Sequence, residues 1–180
     1  MKSAKPLTPF EPPVPNPLEP LCAGDGPFRP NVAALILRRG KKQTKVLLGE
    51  RYDSPECWQW PQGGLDRGEA VEAGLLREVF EETGIAELEI LHRFPFVLRY
   101  RFPQSLFNRF GPYIGQEQHY FLVKPASGQM PDLKKAKDKE FRRLAWRPLA
   151  RANDSAVWFK RPVYAYVLKE TQTLADRLAL

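Results

Sequence analysis

Cysteine and histidine are scarce in this chain of 180 residues, with two of each. Cys22 falls in a proline-rich stretch and Cys57 in a polar loop, so no disulfide framework is indicated and both thiols are read as reduced. Two lone cysteines make a poor metal site. His92 and His119 each stand in a strand-like run with no second His or Cys at ligand spacing, and both are expected to be structural or solvent-facing. Long apolar runs are missing as well. None approaches the ~20 residues that span a bilayer, and the opening MKSAKPLTPFEPPVPNPLEP has no apolar signal core. The compartment this favours is the cytoplasm. Acidic residues are the minority, 21 against 28 Lys and Arg, for a net charge of +7.

The excess of positive charge is uneven. Between Lys134 and Arg161 there are ten Lys and Arg against Asp138, Glu140 and Asp154. Any one of those lysines reads best as solvated surface, but the cluster suits a polyanion, be it nucleic acid, nucleotide or acidic lipid. Prolines concentrate elsewhere, with eight of 18 in residues 1–28, which are expected to form a mostly disordered tail. The rest, 29–180, has the size and the 43% hydrophobic content of one domain with a real core.

Within that domain 31-NVAALILR-38 and 44-TKVLLGER-51 read as a β-hairpin around 39-RGKKQ-43. A loop rich in Pro and Gly, 52–64, leads to a helix predicted over 69–83. Ala73, Leu76, Val79 and Phe80 are expected on its apolar face and Gly84 at its C-terminal cap. Beyond it, 88–102 reads as extended, 117-EQHYFLV-123 as a strand with alternate residues buried, and 141-FRRLAWRPL-149 as another strand. A last helix starts near Arg161, with Pro162 tolerated in its first turn. Strands on both sides of one helix, with a second helix closing the chain, indicate an α/β or α+β domain with a mixed sheet.

In this basic chain, one short segment is crowded with carboxylates. Glu78, Glu81 and Glu82 lie at i, i+3 and i+4, so a helix places them on one face. Their repulsion opposes folding unless a cation lies among them, and hard divalent ions take carboxylate oxygens together with substrate phosphates. A solvated acidic face is the simpler reading of the triplet alone.

The wider spacing changes that balance. Gly63, Glu69, Arg77, Glu78, Val79, Glu81, Glu82, Gly84 and Ile85 fit G-x5-E-x7-R-E-U-x-E-E-x-G-U (U aliphatic) without a gap, nine positions over 23 residues. The segment thereby resembles the signature of the Nudix hydrolases. The resemblance implies an α/β/α sandwich with a mixed sheet, a loop–helix–loop metal site, and hydrolysis of a nucleoside diphosphate linked to another group. It implies that Glu78, Glu81 and Glu82 bind Mg²⁺ or Mn²⁺, with a carbonyl near Gly63 as a further ligand. Arg77 would orient the carboxylates through charge-assisted hydrogen bonds. Glu69 would brace the loop against the helix, and Gly63 and Gly64 would let it turn tightly. The chemistry is consistent with this: a bound cation neutralises phosphate charge and acidifies a water whose proton a carboxylate such as Glu82 accepts.

The flanks narrow the substrate. 29-RPNVAALIL-37, 58-WQWPQGGLDRGE-69, 115-GQEQHYFLV-123, 140-EFRRLAW-146 and 157-VWFKRPVYAYVLKE-170 resemble the bacterial RNA pyrophosphohydrolases and the related dinucleoside polyphosphate hydrolases, with the last pointing more to the RNA enzymes. This likeness implies that Glu140 is a further metal ligand or the general base, although among so many lysines it reads on its own as an ordinary surface Glu. Arg51 and Phe159 would sandwich an unpaired base. Arg29, Lys160 and Arg161 would contact phosphates, and Gln116 and Gln118 would line the substrate groove. Trp58, Trp60 and Trp146 are read as core or loop anchors. Two other readings stay open: asymmetric cleavage of diadenosine polyphosphates, and a non-catalytic nucleotide or RNA sensor on the same scaffold.

Overall fold

The run Val32–Leu37 is apolar at every position, which suits a strand covered on both faces. In the computed structural model, which describes residues 14–15, 27–106 and 111–178, it lies at the centre of an eight-stranded mixed sheet. The elements are β1 (Val14–Pro15), β2 (Phe28–Arg39), β3 (Thr44–Arg51), β4 (Trp58–Gln59), β5 (Gln62–Gly64), α1 (Val71–Thr83), β6 (Leu88–Arg101), β7 (Gly115–Pro125), β8 (Phe141–Pro148) and α2 (Arg161–Arg177). Of the expected tail, only Val14–Pro15, Pro27 and Phe28 are among the described residues, and Cys22 lies outside them. Cys57 is a free thiol.

The two faces of β2 sort its side chains. Val32, Ala34 and Ile36 pack with Phe121 and Val123 of β7 and with Val71, Leu75 and Val79 of α1. Ala33, Leu35 and Leu37 pack with Tyr120 and Leu122 of β7 and with Val163, Tyr164 and Val167 of α2. The chain is thus a helix–sheet–helix sandwich, as the resemblance implied. β7 runs parallel to β2, and Gly115–Val123 are all buried rather than alternately so, because a helix lies over each face. His119 is among them; burial first, and Arg93 second, push its imidazole down to about 4.

The buried face of α1 also differs from expectation. Val71, Gly74, Leu75, Glu78, Val79 and Glu82 are buried, while Leu76 is 41% exposed and Ala73 is exposed. Counting apolar residues favoured the Leu76–Phe80 side. The structure turns the two carboxylates inward instead, next to β5. Gly84, at φ 73°, closes the helix as predicted, its N–H bonded to the Phe80 carbonyl.

The sheet splits along β2. Its C-terminal half pairs with β3 (Leu37 opposite Val46), whereas its N-terminal half pairs with β5 (Asn31 opposite Gly64). β3 therefore diverges from β2 and is held instead by β8, from Lys45 opposite Pro148 to Arg51 opposite Phe141, with a bulge between Glu50 and Arg51. Bulges at such places re-aim side chains. The loop 52–64 is tied down at Trp60, whose ring stacks on Tyr164 of α2 at 3.4 Å between centroids. Trp58 and Trp60 are buried anchors, as predicted, and Trp146 is partly buried beneath Arg38.

Candidate active site

Where β3 parts from β2 there is a cavity of about 300 Å³. Gly63, Gly64 and Glu78 line one wall, Arg51, Asp53, Asp138 and Glu140 a second, and Val157, Phe159 and Lys160 a third; Arg29, Asn31, Gln59, Gln62, Tyr100 and Gln116 also contribute. Residues more than 100 positions apart, such as Arg51 and Lys160, thereby face one volume.

The helix carboxylates are organised by Arg77. Its Nε and Nη2 hold Glu69 at 2.8 and 2.7 Å, its Nη1 reaches Glu78 at 2.7 Å and Glu81 at 3.1 Å, and Nη2 also donates to the Gly64 carbonyl at 2.9 Å. Glu69 further accepts the Asp66 N–H at 2.9 Å, so its carboxylate links the loop to Arg77 of the helix. Arg77 holds the Glu69 carboxyl below its usual range. The counter-charge that the sequence pattern assigned to metal is thus supplied in part by Arg77.

Gly63 makes the close approach possible. A Cβ placed there would lie 1.9 Å from the Glu78 carboxyl carbon, inside any contact distance. Gly63→Ala is expected to push Glu78 aside and cut turnover about 100-fold, as an ångström-scale misplacement of a reacting group does. Steady-state kinetics alongside a melting curve would check it, since the expected loss is of rate with the fold kept.

Glu82 is 1% exposed. Its Oε2 accepts the Gln62 N–H at 2.9 Å, while Oε1 has no hydrogen-bond partner among the described residues. Burial above all, with Glu140 and Glu78 adding like charge, pushes its carboxyl well above the usual range. Burial also raises Glu78. Glu140 is paired with Arg51 and accepts the Gln59 amide at 2.9 Å. A second fork of Arg51 grips Asp53, at 2.7 and 2.9 Å.

These residues fit a hard divalent cation. The donor set is carboxylate oxygen, and a buried carboxylate oxygen left without a donor is costly in a way that coordination to such an ion relieves. Among the described residues, no group of three or more His, Cys, Asp or Glu is gathered to hold an ion as it stands; Arg77 is paired with Glu78 and Glu81, and Arg51 with Glu140. A cation held by these carboxylates would compete with two guanidinium groups.

Lys160 is the buried cation of the cavity, with Nζ donating to Gln59 and Gln62 at 3.1 Å each. Burial first, and Arg51 second, push its ammonium down to about 7 from 10.5. The folded value lies below the unfolded one, so the unfolded chain holds the extra proton between those limits. Lys160 therefore costs most stability below pH 7 and less as pH rises toward 10. In chelator-treated protein, Lys160→Met is expected to be the more stable form at pH 7, with the gap narrowing by pH 9, as read by urea unfolding.

Of the other predicted contacts, Arg29, Arg51, Gln116 and Phe159 line the cavity. Phe159 is only 7% exposed and packs against Tyr100. Gln118 does not line it: it is fully buried and donates to Asn31 at 2.7 Å and Gln62 at 3.1 Å, because β7 is covered on both faces. Arg161 also stands outside the lining, its Nε bonded to the Ala156 carbonyl at 3.0 Å. Gln59, Gln62, Asn31, Asp53 and Tyr100 were not assigned roles from sequence. The two glutamines flanking Trp60-Pro61 were the one available signal.

The chain matches the NUDIX domain over residues 27–167. It is 41% identical over 143 residues to the RNA pyrophosphohydrolase of a Nitratiruptor species, covering 79% of this chain and 92% of that protein. It is 40% identical over 142 residues to an RNA pyrophosphohydrolase of Helicobacter pylori, covering 78% and 91%. Among solved structures, the C. elegans Ap4A hydrolase binary complex superposes with a TM-score of 0.61 at 19% identity over 83% of this chain and 98% of that one. That likeness speaks for the fold alone. Nudix hydrolases generally need a divalent metal, which the oxygen-rich donor set accommodates. With the family match spanning most of the chain and Gly63 and Glu78 of the signature lining the cavity, this protein belongs to the Nudix hydrolases, enzymes that hydrolyse pyrophosphate bonds.

Proposed function

We propose that the protein removes pyrophosphate from the 5′-triphosphate end of RNA, leaving a 5′-monophosphate, with Mg²⁺ or Mn²⁺ as its metal and the cytoplasm as its compartment. The observation that carries this reading is that one cavity joins the box carboxylate Glu78 and the distal Glu140 to Arg51, Phe159 and Lys160. It offers a place for a polyphosphate and for a base at once. The relatives named RNA pyrophosphohydrolase support the same choice.

Glu78, Glu81, Glu82, Glu140 and the Gly63 carbonyl would hold the cation, which supplies neutralisation of phosphate charge and acidification of a water. Arg77 aligns the carboxylates. Glu82 or Glu140 accepts the water's proton. Arg29 and Lys160 take phosphate oxygens, and phosphate beside Lys160 favours its charged form. Arg51 and Phe159 receive an unpaired base between a guanidinium and a ring.

Triphosphorylated RNA incubated with enzyme and Mg²⁺ should release pyrophosphate. Release no greater than that of Glu82→Gln would refute the assignment. Diadenosine polyphosphates stay the second substrate class, because the flanking segments resemble the dinucleoside polyphosphate hydrolases as well. The ratio of kcat/KM on the two substrates decides between them, and metal-dependent turnover of either disposes of a non-catalytic sensor.

A further inference from the structure

Trp158 is 62% exposed, whereas Trp58 and Trp60 are buried. A single exposed apolar side chain needs no function of its own. Trp158 is set apart by where it sits. It opens the tight turn Trp158–Lys160, whose next two residues, Phe159 and Lys160, line the substrate cavity as does Val157 before it. The turn is fixed by the Lys160 N–H on the Val157 carbonyl at 3.0 Å and by the Arg161 N–H on the Trp158 carbonyl. The ring itself is absent from the cavity lining and lies largely in solvent. It meets Phe159 edge-on, with centroids 5.7 Å apart and planes at 85°.

Arg161 adds an independent observation. The family resemblance assigned it to a substrate phosphate, yet it stands outside the cavity lining. It is exposed, and its Nε is fixed on the Ala156 carbonyl. A ligand confined to the cavity does not explain both residues. A chain that continues past Phe159 presents the wall's outer side with a phosphate and then a base. An exposed π-face three residues before an exposed guanidinium suits single-stranded nucleic acid, since every base can stack and every linkage carries charge.

We propose that Trp158 is a stacking platform for a second unpaired base of the RNA, adjacent to the base received by Arg51 and Phe159, with Arg161 meeting the intervening phosphate. The perpendicular rings require the chain to turn between the two bases, as an unpaired strand can. The proposal rests on the RNA reading given under Proposed function.

The test uses a triphosphorylated tetranucleotide. Trp158→Ala is expected to raise KM about tenfold, the scale of one lost base–aromatic stack, with kcat changed less than twofold. Trp158→Phe, which keeps a π-face, should recover most of that affinity. Met130, 61% exposed on the turn after β7, provides a control for exposure alone, and Met130→Ala should leave KM as it was. The monophosphorylated tetranucleotide should also quench tryptophan fluorescence in the parent protein and much less in Trp158→Ala. Hydrolysis of the tetranucleotide with the same KM in Trp158→Ala and parent would overturn the proposal while leaving the RNA reading intact, and would leave the exposed ring to a protein partner. No hydrolysis of triphosphate RNA by the parent would overturn the RNA reading itself.

Discussion

Glu82→Gln should lower turnover by about 10³-fold, the rate equivalent of several kcal/mol of lost charge stabilisation at phosphorus, and at the same time make the metal-free protein more stable. The two effects share one cause. Glu82 is 1% exposed, with one oxygen bonded to the Gln62 N–H and the other without a donor. Glutamine keeps the acceptor for that N–H and removes the charge that burial disfavours. The carboxyl is raised above its unfolded value, so the folded state holds the extra proton. Stability is then lost as pH rises from the unfolded value toward the folded one, and the advantage of glutamine grows in the same direction. At pH 8 in chelator it is about 2 kcal/mol, the scale seen when a buried charge gives way to a neutral group. Melting curves at pH 6 and pH 8, with and without Mg²⁺, test both halves. The parent should gain stability from Mg²⁺ where Glu82→Gln gains little. A variant that melts lower than the parent in chelator would contradict this account of a strained carboxylate.

Arg77→Met is expected to have the opposite effect on stability. Arg77 joins Glu69, Glu78, Glu81 and the Gly64 carbonyl. Methionine keeps most of the aliphatic stem and deletes every donor, leaving three carboxylates to repel one another. The Arg77 side chain is 29% exposed, so water screens part of that loss. A decrease of about 2 kcal/mol follows, between the values for exposed and for buried pairs. Activity should fall about 10- to 100-fold, as when a group that orients metal ligands is removed. Denaturant unfolding and kcat/KM measured on the same preparation separate the two effects. Loss of activity without loss of stability would mean that Arg77 acts on substrate rather than on its neighbouring glutamates.

The parts of the fold that depend on neighbouring residues could be read from the sequence. The β2–β3 hairpin, α1 with its Gly84 cap and α2 with Pro162 in its first turn each follow from short-range rules. The reaction class was legible too, through the resemblance of 23 consecutive residues to a family signature. The mistaken face of α1 is instructive. Leu76 and Phe80 are as apolar as core residues, but the surface that α1 meets includes β5 and the buried end of the carboxylate patch. No local pattern says that a helix will turn Glu78 and Glu82 toward the protein.

The candidate site divides along the same line. From the sequence alone came Glu78, Glu81 and Glu82 as a group, because helical periodicity puts them on one face, while Glu69 as a brace and Arg77 as their partner came from the resemblance of the signature. Tertiary structure decided that Glu140, Lys160 and Gln59 would meet, since β2 gives its N-terminal half to β5 and lets β3 diverge toward β8. It also placed Gln118 behind the cavity wall and Arg161 beyond it. Finally, it distributed the charge: Arg77 and Arg51 hold most of the carboxylates, and Glu82 is left buried with an oxygen unpaired. Spacing along one helix fixes which groups can act together. Only the packing of strands distant in sequence fixes how much water, and which counter-charge, each group retains.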